Sequence, residues 1–364
     1  MAKELVIVQK TKVSSFPPLM TTIEALSRLG VEITLICGNE LEENMDFLYK
    51  YCKKVIMLNI PDAKSKIEKV LVWSKIRYYV WKTIRKEGLM KHTFYIPTAD
   101  TLLAMGPRTK RLHYILNLYE LFDGTPMYLK NLKEYALKAS LITCPDLTRA
   151  HIFRVWWKLP KTPTVIPNRP LERPTLNGTL PKNVVDIIEQ IKGKKIIHYQ
   201  GLITPDRDLE PICNAVKELP DFVLILMGKE TDYLKQLLSI SNNIIYVPFL
   251  VPPTHLIVTK MASIGLLSYD HSCLNNIFCA PNKIWEYSSL GVPMLGNDIP
   301  GLKNVIEPAK MGLCVDYADV EQIKKCITSI NNNYELYANN SYAYFDSVSM
   351  SDMFTPIVLS LIHI

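Results

Sequence analysis

Short, continuous runs of apolar residues alternate along this chain with longer stretches in which apolar residues recur every three or four positions. Continuous apolar runs bounded by turn residues read as strands buried on both faces. The three-to-four spacing reads as helices covering those faces. In the first half the predicted strands are 5–8, 32–37, 54–58, 93–96, 111–117, 141–144 and 163–166, with helices at 18–29 and 129–139 among the connections. The second half repeats the alternation: strands at 195–199, 223–227, 244–247, 264–267, 292–295 and 313–315, helices at 209–217, 233–239 and 282–290. Strictly alternating strands and helices predict parallel, doubly wound sheets.

At 364 residues the chain is longer than one hydrophobic core normally serves. The polar, proline-rich stretch Pro167-Asn168-Arg169-Pro170-Leu171-Glu172-Arg173-Pro174 is the natural joint. The expectation is a first domain at 1–170, a second at 171–334, and a final segment, 335–364, crossing back onto the first. A content of 48% apolar and 21% charged residues is that of a globular chain. Its eight cysteines form no C-x-x-C pair or zinc spacing and several lie in apolar runs, as reduced core residues of a cytoplasmic protein do. The N-terminal residues lack signal-peptide anatomy and no apolar run reaches membrane-spanning length, so neither secretion nor spanning is expected.

Charge changes the picture at one place. The net charge is +7, and residues 64–91 alone carry nine Lys/Arg against Glu68 and Glu87. Val70, Leu71, Trp73, Ile76, Tyr79, Val80, Trp81 and Ile84 are interleaved with them at helical spacing. Such a helix either packs on a sheet with its polar face in water or lies on an anionic membrane surface. The cluster Phe153-Arg154-Val155-Trp156-Trp157-Lys158 has the same two readings. No nucleic-acid-binding motif accompanies the charge, so nucleic acid is not an expected partner. Hydrolase triads, the P-loop, H-E-x-x-H and the G-x-G-x-x-G fingerprint are likewise missing from the sequence.

The candidate chemistry centres on Pro281-Asn282-Lys283-Ile284-Trp285-Glu286-Tyr287-Ser288-Ser289-Leu290-Gly291-Val292-Pro293-Met294-Leu295. Proline before and glycine after mark a short helix leading into a buried strand. Unpaired N–H groups at its start suit a diphosphate. A carboxylate one turn in, Glu286, suits ribose hydroxyls.

This run resembles the donor-binding signature P-x-K-x-x-E-Y-x-x-x-G-x-P of GT-B glycosyltransferases, specifically glycosyltransferase family 4. Val165-Ile166-Pro167-Asn168 is similar to the end of that family's first domain, and His198 to Leu209 to its strand–Gly–loop–cation segment. Val223 to Gly228 and Ile245 to Leu250 look like its later strand ends. The resemblance implies an α/β GT-B chain, two Rossmann-like doubly wound parallel-sheet domains facing a central cleft. It implies Arg207, Lys283 and Glu286 as the catalytic set, with donor-binding residues Gly201, Gly228, Phe249, Asn282, Tyr287 and Ser288. It implies no metal at the phosphates and no cofactor beyond the nucleoside-diphosphate sugar, with uracil, guanine and thymine all open as the base.

Three departures bear on this. Many family members carry a second glutamate where this chain has Phe278, and an arginine where it has Leu202. The loop at 9–18, in the place of a glycine-rich acceptor loop, has no glycine and offers Ser14 and Ser15 instead. Asp100 and Glu120 follow strand ends in the first half and are further acceptor-side candidates, required as bases only if the reaction inverts. The expected activity is a retaining sugar transfer to a glycan or lipid-linked acceptor in bacterial surface-polysaccharide synthesis, in the cytoplasm or at the inner face of the plasma membrane. The alternatives are a catalytically silent nucleotide-binding or scaffold subunit of the same fold and a nucleotide-sugar epimerase.

Overall fold

The computed structural model describes residues 3–60 and 66–362, so Lys64 of the basic run lies outside the described residues. The chain forms two compact units, Met1–Leu171 with Ser349–Ile364, and Glu172–Val348. The returning segment is shorter than expected. The helix Tyr334–Asp346 stays with the second unit, where Tyr344 stacks on Trp285 at 4.9 Å, and only the helix Met350–Ser360 packs in the first, against Pro17–Arg28.

In the first unit β1 (Lys3–Gln9), β2 (Val31–Cys37), β3 (Lys54–Met57), β4 (Thr93–Ile96), β5 (His113–Asn117), β6 (Leu141–Cys144) and β7 (Thr164–Val165) form one parallel sheet in the order β3-β2-β1-β4-β5-β6-β7. In the second, β8 (Lys195–Gln200), β9 (Phe222–Gly228), β10 (Ile244–Pro248), β11 (Ile264–Leu267), β12 (Met294–Asn297) and β13 (Gly312–Val315) run β10-β9-β8-β11-β12-β13, again all parallel. Each order reverses beside the first strand of its unit. That reversal opens a crevice at the strands' carboxyl ends, between β1 and β4 and between β8 and β11.

Period-two alternation sorts the second core. Val223, Ile225 and Met227 pack with helices 182–190, 255–260, 282–289 and 300–306 on one face. Phe222, Leu224 and Leu226 pack with helices 210–217, 232–238 and 320–332 on the other. Every residue of β9 is buried, as a strand covered on both sides requires.

Some boundaries move for identifiable reasons. The strand expected at 292–295 is β12, two residues later: Gly291 turns the chain at φ +66° and Pro293 has no N–H for the ladder. The strand expected from Arg111 begins at His113 because Pro107–Arg111 form a 3-10 turn. The helix expected at 129–139 is Pro126–Ala136, drawn forward by proline in its first turn.

The basic run forms the helix Lys66–Lys86. Ile76, Val80, Trp81 and Ile84 are buried and the indole N–H of Trp81 donates to the carbonyl of Met105 at 2.8 Å, so one face packs on the unit. Leu71, Tyr78 and Tyr79 remain exposed on the other. The 153–158 cluster is divided: Phe153 and Trp157 are buried and stacked on each other at 5.0 Å as core, while Arg154, Val155 and Lys158 are exposed.

Gly265 of β11 lets the helix Asn282–Ser289 lie on the sheet, because a Cβ there would stand 2.7 Å from ring carbons of Tyr287. Gly265→Ala should therefore destabilise the second unit by about 1–3 kcal/mol. The urea midpoint should fall with the slope unchanged; an unshifted midpoint would refute this packing argument.

Candidate functional site

The crevice beside β8 gathers the residues that the sequence singles out in the second half. β8 ends at Gln200 and Gly201 follows at φ +131°; β9 ends at Gly228. These two backbones touch so closely that a Cβ on Gly228 would lie 2.3 Å from the Gly201 carbonyl oxygen. The gap above Gly201 is filled by the ammonium of Lys283, 3.0 Å from where a Cβ would be.

Lys283 comes from the first turn of the helix that Asn282 opens, and its Nζ sits 4.4 Å from the ring centre of Tyr199 and 5.7 Å from that of Tyr269. Arg207 comes from the 3-10 turn Pro205–Arg207 and covers the same Tyr269 ring at 4.6 Å. The turn is held by Ser268, whose hydroxyl donates to the Arg207 carbonyl. Both cations thus share one aromatic ring. Among the described residues Lys283 has no hydrogen-bond acceptor and no carboxylate at ion-pair distance, Glu286 acting on it from farther off, while Arg207 pairs with Asp206 at 3.5 Å. Burial, and then the positive charge of Arg207, push the Lys283 ammonium down from 10.5 to about 8. Arg207 Nη1 and the hydroxyl of Thr204, on the same loop, are buried without hydrogen-bond partners. Buried donors and cations in this state fit an anion of two or more charges.

Glu286, one turn beyond Lys283, is fixed by residues that sequence reasoning missed. The side-chain amide of Gln200 donates to one carboxylate oxygen, and His255 Nε2 lies 3.8 Å from the other. The amide is itself aimed, because its oxygen accepts from Thr259 at 2.5 Å and lies 3.2 Å from His198 Nε2. Burial drives His198 down to about 3, so the ring is neutral at pH 7, and the short contact requires the proton on Nε2. The amide nitrogen must then face Glu286. The other lone pairs of a carboxylate held in this way are available to hydroxyl donors.

Two residues expected to bind donor do structural work instead. Tyr287 is fully buried and its hydroxyl donates to the carbonyls of His198 at 2.9 Å and Leu266 at 3.3 Å. Ser288 is fully buried and donates to Trp285. Helical period turns Ser288 away from 283 and 286, whereas Tyr287, one turn after Lys283, lies beside it and is held to the sheet by its strand-carbonyl contacts. Phe249 follows β10, exposed, with Lys229 6.0 Å from its ring centre.

The first-half candidates group at the reversal beside β1. Asp100 accepts from Lys10 Nζ at 2.8 Å and from the Tyr128 hydroxyl. Ser14 donates through its N–H at 3.0 Å and its hydroxyl at 2.5 Å to Glu40, and Ser15 is exposed next to it. Glu120 stands apart, facing the buried guanidinium of Arg149 at 3.5 Å. Phe278, in the place of the family's second glutamate, is half-buried at the end of a short helix, 274–277.

Residues 185–344 match the family model described as glycosyl transferases group 1. Among solved structures the chain is similar to HepE of Anabaena in complex with UDP and glucose, at a TM-score of 0.74 and 14% identity over 99% of this chain and 100% of that one. A glycosyltransferase from Rickettsia africae gives 0.74 and 14% over 100% of both chains. Sucrose-phosphate synthase from Thermosynechococcus elongatus gives 0.72 and 13% over 99% of both. No curated protein sequence matches this chain. At these identities the likeness is one of fold, and the fold is GT-B.

The depressed Lys283 ammonium makes anion binding pH-dependent. A bound diphosphate raises its pKa, so affinity is full where the free lysine is protonated and is lost as pH rises through about 8. The UDP dissociation constant, measured by calorimetry from pH 7 to 9.5, should weaken by up to roughly tenfold per unit above that point. Lys283→Gln should bind more weakly with a flat profile. A flat wild-type profile would remove Lys283 from the anion site.

Proposed function

We propose that this chain, whose residues 185–344 match the model of glycosyl transferases group 1, transfers a hexose from a nucleoside-diphosphate sugar to a glycan or lipid-linked acceptor, with retention of anomeric configuration. The observation that carries the reading is the close pair of cations Arg207 and Lys283 on the ring of Tyr269, with Lys283 over Gly201 one turn from Glu286. In this reading the two cations receive the diphosphate leaving group, Glu286 takes ribose hydroxyls, and the exposed ring of Phe249 covers the base. UDP is the first nucleotide to try, because HepE was solved with UDP and with UDP-glucose.

The acceptor side supports retention. An inverting reaction needs a free base, but Asp100 is already shared by Lys10 and Tyr128, and Glu120 faces a buried guanidinium. Carboxylates engaged by cations are poor bases. In the retaining course the bond from the sugar's anomeric carbon to the phosphate oxygen breaks and the acceptor oxygen bonds to that carbon on the same face. The acceptor's proton then passes to the departing phosphate oxygen, and no protein base is consumed. The cations stabilise the charge that develops there.

Bacterial surface-polysaccharide synthesis in the cytoplasm, at the inner face of the plasma membrane, is the biological setting we propose. The exposed basic and aromatic face of the helix Lys66–Lys86 supports contact with the membrane surface. Among the described residues no helix is long and apolar enough to cross a membrane.

Arg207→Ala should lower turnover of the nucleotide sugar by roughly 100- to 1,000-fold while the protein remains folded. Proton NMR of the product should show the donor's anomeric configuration kept. Full biological activity in Arg207→Ala, with no turnover in the parent protein, would mean a silent binding subunit instead.

A further inference from the structure

The first unit carries a second basic site, away from the strand ends. A cavity of about 710 Å³ opens between the helix Lys66–Lys86 and the end of the helix Ala99–Met105, lined by Arg77, Lys82, Arg85, Arg108, Trp81 and Met105 among others. No carboxylate lines it. Arg77 is a fixed wall: its guanidinium donates to the carbonyls of Ala104 at 3.1 Å and Leu103 at 3.2 Å, closing the helix end. Lys82, Arg85 and Arg108 are exposed and, among the described residues, have no acidic partner. The floor is apolar, with Trp81 anchored by its N–H to Met105. Exposed Tyr78 and Tyr79 continue the apolar surface along the helix. One turn toward the helix start, Trp73 lies 5.1 Å from Lys10, which pairs with Asp100 at the β1–β4 crevice.

Cations with no counter-charge around an apolar floor select an anion that brings its own apolar carbons. We infer that this pocket receives the phosphate of a lipid, with Lys82, Arg85 and Arg108 on the phosphate oxygens and the first lipid carbons against Trp81 and Met105. This inference rests on the membrane-surface part of the proposed function and gives that surface a binding site with defined chemistry. The lipid phosphate has two sources, an anionic bilayer lipid or the lipid carrier of the acceptor, and both present the same group.

The test is co-flotation of the full chain with phosphatidylcholine vesicles containing either phosphatidylglycerol or polyisoprenyl phosphate at equal charge density. Both should bind the protein, and the Arg85→Ala/Arg108→Ala variant should lose roughly thirtyfold in partitioning, about fivefold for each cation removed. The variant Lys192→Ala/Lys195→Ala, which removes two exposed cations from the second unit, should bind as the parent does. Stronger binding to polyisoprenyl phosphate identifies the carrier as the source, and equal binding identifies the bilayer. Equal loss in the two variants, or no flotation with either vesicle, overturns the pocket. UDP-induced thermal stabilisation of the same preparations reports folding and the donor site separately, so a failed pocket leaves the donor reading intact and a failed donor reading is seen on its own.

Discussion

Two cations held close together, with carboxylates only at their margins, are the costly feature around which the second unit is arranged. Lowering the Lys283 ammonium from 10.5 to about 8 corresponds to on the order of 3 kcal/mol against its charged form. The fold sustains that cost with the neighbours it can supply: the faces of Tyr199 and Tyr269, and a glycine at 201 that leaves space for the ammonium. A carboxylate in the same place would relieve the strain and abolish the use, since a neutralised pair has little left for a diphosphate. The unpartnered donors on the Thr204–Arg207 loop tell the same story in hydrogen bonds.

The remainder of the site exists to keep that arrangement in register. Lys283 and Glu286 reach the crevice only because their helix lies directly on the sheet, with Tyr287 bonded to two strand carbonyls and its ring against Gly265. Gln200 ends the strand that forms one wall of the crevice, and its amide, oriented by Thr259 and neutral His198, sets the rotamer of Glu286. Position of the carboxylate is therefore inherited from strand and helix rather than from a mobile loop.

How much of this was legible in the sequence depended on distance along the chain. The alternation of strands and helices, the linker and the Lys283–Glu286 pair are local patterns, and each lies in one short segment. Gln200 is bonded to Glu286 across 86 residues, and Thr259 to Gln200 across 59, so no spacing rule reaches them. Tyr287 and Ser288 were misread for another reason. They sit inside the matched motif, and a match in order says nothing of direction: the 3.6-residue period turns Ser288 away from Lys283, but Tyr287, one turn on, shares its side, and only its bonds to strand carbonyls settle where it points. The two-residue shift of β12 was readable too, from a proline that cannot join the ladder on its N–H side.

The two reversal points of the sheets make an instructive contrast. Both place a lysine at a crevice formed where strand order reverses, yet Lys10 is neutralised by Asp100 at 2.8 Å, and Asp100 is bound again by Tyr128. Lys283 has no such partner among the described residues. A neutralised lysine in a polar cluster of Gln9, Thr98 and Thr101 suits hydroxyl groups, which need donors and acceptors in equal measure and no net field. An uncompensated one suits phosphate. The same topology thus yields one crevice whose lysine is paired with a carboxylate at 2.8 Å and another whose lysine has none at that range. In the first unit the cations Lys82, Arg85 and Arg108 lie away from the crevice, over an apolar floor rather than a glycine notch. Under the proposed reading, charge without a close counter-ion suits phosphate, and what lies under that charge separates a nucleotide phosphate from a lipid one.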